Sequence, residues 1–209
     1  MLTREQFLPH EMRIVAALRM QGASDEQVIV RVKSENLFQY PTERMVANRA
    51  TVCLRRLDAM VPTDAVCAAR GIDPKTAVEA ASYLTRLMAS GTPTQADQAI
   101  FYSMICRYDI VRELVLVEVG ERLQNFDYAF TAVDLNAFMT RFTTEYPDAA
   151  RWTEATVKRI KGSLRQTLRH AGLIGECLSP LFLDSDVERA LVQLGEQSLI
   201  AALTGRSVM

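Results

Sequence analysis

The chain is poor in the residues from which catalytic and metal sites are usually built. Its 209 residues include only two His, one Trp and four Cys. His10 and His170 lie far apart, and no CxxC pair occurs. A zinc site normally needs such ligands at close spacing, so we interpret the cysteines as buried free thiols of a reducing compartment. The sequence predicts no metal site and no cofactor.

Long apolar runs are also missing. The longest, Leu114 to Val119, is interrupted by Glu118 and falls far short of the ~20 residues that a membrane span needs. The opening residues mix acids and bases and contain no apolar segment typical of a secretory signal. We therefore expect a cytoplasmic protein without a membrane partner.

The sequence contains none of the common catalytic motifs: no GxxxxGK[ST], HExxH, GxSxG or GxGxxG. Pro147-Asp148 could begin a nuclease-like acidic motif, but the residues from Glu154 onward do not supply the lysine that would complete it. The carboxylates show no clustering for acid–base chemistry. The prediction is that the protein is not an enzyme.

Positive charge, in contrast, is concentrated in one place. Residues 151–171 contain six Lys or Arg and only one acid, Glu154, a net +5, whereas the whole chain carries −1. The stretch WTEATVKRIKGSLRQTLRHAGLI (residues 152–174) predicts one helix, capped by Thr153 and ended by Gly172. An apolar stripe runs along it beside a stripe of cations. The apolar stripe consists of Val157, Ile160, Leu164, Leu168 and Ala171.

The cations repeat at about one-turn spacing, which suits a phosphate backbone. Like charges at this spacing cost stability, so an external anion is a candidate partner, although a solvated helix face explains the pattern too. The predicted DNA-contacting residues of this helix are Lys158, Lys161, Arg165 and Arg169. Trp152, just before it, fits core packing better than base stacking.

The first 62 residues predict three helices, and the third bears a polar face. We expect helices from Pro9 to Met20, after Ser24, and from Thr42 to about Met60. A helix-turn-helix places such a third helix in the major groove, but the connection before it is long, and a plain bundle explains the pattern as well. The candidate contacts are Arg44, Asn48 and Arg55, with Thr51 on the same side. Arg49 and Arg56 point nearer the apolar side, toward a neighbouring domain or an acidic partner.

The remainder, residues 63–209, predicts a helical scaffold. Residues 109–126 are rich in β-branched side chains, yet their length and charged decoration favour a buried helix over a strand. A helix opened by Thr131 and Asp134, the basic helix, and a short hairpin between Ile174 and Leu181 follow the order of a winged-helix unit, residues 131–183. One last helix is expected from Ser185 past Gly195 to Leu203.

Three stretches, WTEATVKRIKGSLRQTLRHAGLI, the upstream TAVDLNAFMTRF and the early EMRIVAALRMQGASDEQVIVRVKSENLFQ, resemble the BrxA family, accessory proteins of BREX (bacteriophage exclusion) defence systems. The resemblance spans roughly Met12 to Leu203. It implies an all-α, non-enzymatic protein that binds duplex DNA through helix-turn-helix and winged-helix features. It also implies DNA contact for Lys158, Lys161, Arg165 and Arg169, and then for Arg44, Asn48 and Arg55. Other BREX proteins are further candidate partners. The hairpin has no Lys or Arg to grip DNA.

The sequence thus predicts an all-α helical bundle with an N-terminal helix-turn-helix-like unit and a C-terminal winged-helix-like unit. Its predicted function is binding of duplex DNA with weak sequence preference. The alternative is an RNA-binding, antitermination-like bundle or a protein-bridging scaffold. The oligomeric state stays open.

Overall fold

The computed structural model describes residues 6–206, and nearly all of them belong to helices or short connections. Residues 1–5, which belong to the opening stretch considered for a signal, lie outside the described residues. Within the described part there is no β-strand, so the all-α prediction is confirmed. None of its helices is long and apolar enough to cross a membrane.

By compactness the chain divides into two units, each described here by itself. The first unit comprises residues 7–107 and 183–196; the second comprises residues 108–182 and 197–206 together with Gln6. The sequence-based boundary at residue 62 falls inside the first unit, between two of its helices. As a domain boundary it stays a prediction.

Within the described residues, the first unit contains seven helices, whose ends coincide with local capping signals. Ser24 and Gln27 form the expected capping box, Thr42, Thr63 and Asp73 cap the next helices, and Pro occupies the first turn of two others. The helices are α1 (Pro9–Met20), α2 (Asp25–Ser34), α3 (Glu43–Ala59), α4 (Asp64–Arg70), α5 (Pro74–Ser90), α6 (Pro93–Arg107) and α11 (Ser185–Gln193). Helix α1 packs on α3 and α5, and α5 packs on α6 and α11.

A buried charge network holds α11 in the first unit. Glu196, almost fully buried, pairs with Arg70 at 2.9 Å and accepts a hydrogen bond from the Tyr102 hydroxyl at 3.2 Å. Arg70 also donates to the carbonyl of Leu194 at 2.8 Å. Burial raises the pKa of Tyr102 well above its usual value, so its hydroxyl stays a donor.

The predicted single C-terminal helix is wrong. Gly195 adopts a left-handed φ of 68° and separates α11 from a second helix, α12 (Gln197–Thr204). A Cβ at Gly195 would lie 3.1 Å from that of Arg70. The N-cap of α11 is also one residue earlier than expected. The side chain of Asp184, rather than that of Ser185, accepts a hydrogen bond from a backbone N–H in the first turn of the helix.

The second unit is built on a continuous buried helical segment. It consists of α7 (Asp109–Glu113), a π-helical segment (Leu114–Val119) and α8 (Gly120–Gln124), and α12 packs against it. This confirms the expected buried helix of residues 109–126, while the π-helical stretch within it was not anticipated. Leu114, Val115 and Val119 are fully buried.

Two more helices complete the second unit: α9 (Ala132–Glu145) and α10 (Glu154–His170). Thr131 and Asp134 form the expected capping box of α9. The hydrogen bonds from Thr131, followed by the charge of Arg122, lower the pKa of Asp134, which keeps the capping carboxylate ionised. The large apolar side chains on the inner face of α9 are buried, namely Leu135, Phe138, Met139 and Phe142.

The segment after α10 differs from the expected hairpin. An isolated antiparallel bridge joins Ile174 to Leu178, so the turn between them is only three residues long. Leu181 pairs instead with α12, donating its N–H to the carbonyl of Leu203 at 2.8 Å. Cys177, in this turn, is exposed, contrary to the expectation of buried thiols, whereas Cys53 and Cys67 are buried.

Helices α8 and α12 approach each other closely at a glycine, which gives a test of this packing. A Cβ at Gly120 would lie only 2.7 Å from the Cβ of Ala202. We expect Gly120→Ala to lower the free energy of unfolding by about 1–3 kcal/mol through overpacking. Urea denaturation followed by circular dichroism measures the change.

The control is the compensating exchange. Because Ala202→Gly vacates the space, the double variant Gly120→Ala/Ala202→Gly should be more stable than the sum of its single changes predicts. Strict additivity would contradict the close contact.

Candidate nucleic-acid interface

Helix α10 begins and ends where the sequence predicts. The side chain of Thr153 accepts the N–H of Thr156 at 3.3 Å, and Glu154 occupies the positive end of the helix dipole. Gly172, with φ of 80°, ends the helix, and Leu173 beside it is fully buried. These capping residues therefore define where α10 begins and ends.

One side of α10 packs into the second unit. Ile160, Leu164 and Leu168 are at most 1% exposed, and Thr167 is buried beside them. Val157 and Ala171, at the two ends of the predicted apolar stripe, are half-buried. The stripe is therefore confirmed at its centre, and it determines which side of the helix faces solvent.

An aromatic cluster supports the start of α10. The rings of Phe142 and Tyr146 stack with centroids 4.1 Å apart, and Trp152 lies over Phe142 at 6.0 Å. Burial, followed by the nearby Glu113, raises the pKa of Tyr146. Trp152 is half-buried in this stack, which agrees with the packing role expected for it.

The opposite side of α10 is cationic. Lys158, Arg159, Arg165 and Arg169 are exposed. In residues 6–206, none of these four side chains pairs with a carboxylate within 4.0 Å. We call Lys158, Arg159, Lys161, Arg165 and Arg169 the cationic face.

Lys161 lies at the edge of the cationic face. It is half-buried rather than exposed, and its ammonium group donates to the side-chain carbonyl of Asn136 on α9 at 2.8 Å. The partner is neutral, so the positive charge remains available. Asn136 itself is exposed, and it holds this lysine in one orientation.

Sequence reasoning missed Arg159. At 100° per residue, Lys158, Lys161, Arg165 and Arg169 fall along one edge of the exposed side, whereas Arg159 falls along the other edge. The exposed side of α10 is therefore bordered by cations on both edges. The same angular projection, centred on the buried stripe, would have revealed this arrangement from the sequence.

The second predicted set of contacts lies on α3, in the first unit. Arg44, Asn48 and Arg55 are all exposed, as expected of a polar face, and Thr51 is half-buried with its hydroxyl donating to the carbonyl of Ala47. Met45, in the first turn of the same helix, is 41% exposed. The structure thus gathers the predicted residues into two sets, one on each unit.

Two arginines of α3 whose role the sequence left open take internal positions. Arg56 is fully buried and donates to the carbonyl of Phe7 at 3.2 Å. Arg49 is half-buried beside the Tyr40 hydroxyl, which donates a hydrogen bond to the buried Glu11. Burial and the bond to Glu11 raise the pKa of Tyr40 to about 12, so this contact is stable at neutral pH.

Comparison with known proteins places the chain in a family. The sequence model of the BrxA family matches residues 1–195. The chain belongs to the BrxA family. Membership in the BrxA family indicates a component of a BREX phage-defence system.

A solved structure supports the fold independently. The crystal structure of an uncharacterized protein from Magnetospirillum magneticum is similar, with a TM-score of 0.75 and 16% identity. The match covers 98% of this chain and 96% of that one. No curated protein matches the chain.

The two sides of α10 should respond oppositely to truncation. Changing Arg165 and Arg169 together to Ala should alter the free energy of unfolding by no more than about 0.5 kcal/mol each, because both are exposed and without an ionic partner in the described chain. Leu164→Ala should cost about 2–5 kcal/mol, since it leaves a cavity in the core. Thermal and urea denaturation measure both variants. A large loss on removing the arginines would contradict the external position of the cationic face.

Proposed function

We propose that this BrxA-family protein is a non-enzymatic DNA-binding component of its BREX system, which holds duplex DNA on the cationic face of α10. The observation that carries the proposal is the set of four exposed cations without carboxylate partners in the described chain. Such a set is an electrostatic footprint for phosphates. The protein is expected to act in the cytoplasm.

The energetics of α10 support an external anion. Lys158, Lys161, Arg165 and Arg169 stand three or four residues apart in succession, and like charges at such spacings destabilise a helix by roughly 0.2–0.5 kcal/mol per pair. Carboxylates placed among them would have removed this cost. Phosphates of a duplex would supply the missing negative charge and release their counterions.

The surroundings of α10 support a reduced winged-helix arrangement. Along the chain, α8 is followed by a connection that contains Tyr128, then by α9, α10 and the bridge of Ile174 with Leu178. The N–H of Leu178 also donates to the carbonyl of Tyr128 at 2.9 Å, so the connection before α9 lies beside this bridge. In this arrangement α10 occupies the place of the recognition helix.

The wing itself contributes little to the proposed contact. The turn between Ile174 and Leu178 consists of Gly175, Glu176 and Cys177, and its only charge is negative. We therefore assign DNA contact to α10 and not to the wing.

The exposed face of α3 is the second proposed contact, in a helix-turn-helix-like role. Arg44, Asn48 and Arg55 lie on one exposed side of a helix of 17 residues capped by Thr42. Arg and Asn are suited to phosphates and to base edges. Because the connection from α2 to α3 is long, we expect this face to add affinity and little sequence specificity.

Salt dependence tests duplex binding directly. We expect affinity for a short fluorescent duplex to fall steeply with salt, with a log–log slope of about −0.9 for each phosphate neutralised. Changing Lys158 and Arg165 to Ala should make this slope shallower by about two units and weaken all duplexes alike. Fluorescence anisotropy over a salt series measures both quantities.

The matched control removes two exposed cations elsewhere. Lys75 and Arg86 lie on the exposed side of α5, so their replacement by Ala changes the net charge equally. It should leave the slope unchanged. An equal effect of both double variants would show nonspecific attraction. Preference for single-stranded or double-stranded RNA of equal length over duplex DNA would favour the RNA-binding alternative.

The proposal also includes the absence of catalysis. The described residues contain no group of three His, Cys, Asp or Glu placed to hold a metal ion, and the sequence lacks the common nucleotide and nuclease motifs. We expect supercoiled plasmid and labelled ATP to remain intact after incubation with the protein and magnesium or manganese. Nicking or ATP hydrolysis that persists through repurification and follows the protein peak would overturn this part of the proposal.

A further inference from the structure

Helix α10 contains a glycine that the fold does not explain. Gly162 lies in the middle of a helix of 17 residues, where glycine is less stable than alanine or any straight-chain residue. Its φ lies outside the left-handed region, and a Cβ built on it would meet nothing within 4 Å. Neither backbone conformation nor internal packing requires a glycine here.

At Gly120, in contrast, internal packing does require a glycine. A Cβ at Gly120 would approach Ala202 of α12 to 2.7 Å, so the close contact of two helices excludes any side chain there. Gly162 faces open space instead. One further use of glycine is to let another molecule approach the backbone closely.

The position of Gly162 on α10 indicates which molecule. It lies directly opposite the buried stripe of Ile160, Leu164 and Leu168, at the centre of the exposed side. Gln166 follows one turn later on the same line. Lys158 and Arg165 border this line on one edge and Arg159 borders it on the other. At its centre the exposed side therefore has no side chain at Gly162, and cationic side chains flank this position on both edges.

Duplex DNA has the complementary shape. Its major groove is about 12 Å wide, which is close to the diameter of a helix with its side chains, and phosphates line both walls. Cations on both edges of α10 can reach the two walls at once. A long side chain at the centre would hold the helix away from the base edges, and glycine removes that obstacle.

We propose that Gly162 is the point at which α10 lies closest to the floor of the DNA major groove. The absence of a side chain at this position favours DNA binding and lowers the stability of the helix. Gln166, one turn along the same line, then faces the base edges, where a Gln side chain can pair with adenine. This inference rests on the proposed binding of duplex DNA by α10.

Graded filling of the position tests the inference. Gly162→Ala and Gly162→Leu should raise the melting temperature by about 1–4 °C, because both residues favour a helix more than glycine does. Both should weaken duplex binding, and leucine should do so more strongly, by roughly tenfold or more. Differential scanning fluorimetry and anisotropy titration of the full chain give the two readouts.

A matched control adds the same bulk elsewhere. Ser82 is an exposed residue in the middle of α5, and Ser82→Leu should leave duplex affinity unchanged. If wild type binds duplex DNA and Gly162→Leu binds it equally well, the inference fails while the proposed function stands. A destabilised Gly162→Ala also overturns it, since the fold would then require the glycine. If wild type binds no duplex, the proposed function fails, and the inference fails with it.

Discussion

The burial of one side of α10 is the constraint on which the proposed function depends. Ile160, Leu164 and Leu168 are inserted in the core of the second unit, and each contributes roughly 1.5–3 kcal/mol through burial. Rotation of the helix about its axis would expose these side chains. The packed stripe therefore fixes the direction of every other residue of α10, and it directs the cations away from the core of the second unit.

Much of the helical framework could be predicted because its signals are local. The Ser24–Gln27 and Thr131–Asp134 capping boxes involve residues three apart, and Gly71 and Gly172 end their helices through their own left-handed conformation. Such features are written in a few consecutive residues. For the same reason, the amphipathic pattern was sufficient to separate the core side of α10 from its basic side.

The features that were missed depend on residues distant in sequence. The C-terminal helix breaks at Gly195, where the contact with Arg70, more than a hundred residues away, leaves little room for a side chain. Leu181 does not complete the expected hairpin, and its N–H bonds instead to the carbonyl of Leu203 in α12. Lys161 is held by Asn136 of another helix. Arg159 was different, since helical geometry alone places it on the exposed side.

Helix α10 thus combines features that cost folding stability, like charges in succession and a central glycine, on the side that the fold leaves open. The proposed binding of duplex DNA would account for both. The most direct measurement is a side-chain NMR titration of the arginine Nε–H signals with a short duplex. Those of Arg159, Arg165 and Arg169 should shift, while those of Arg70 and Arg122, which are engaged in internal ion pairs, should remain in place. Unchanged signals from all three α10 arginines in the presence of bound duplex would contradict the account.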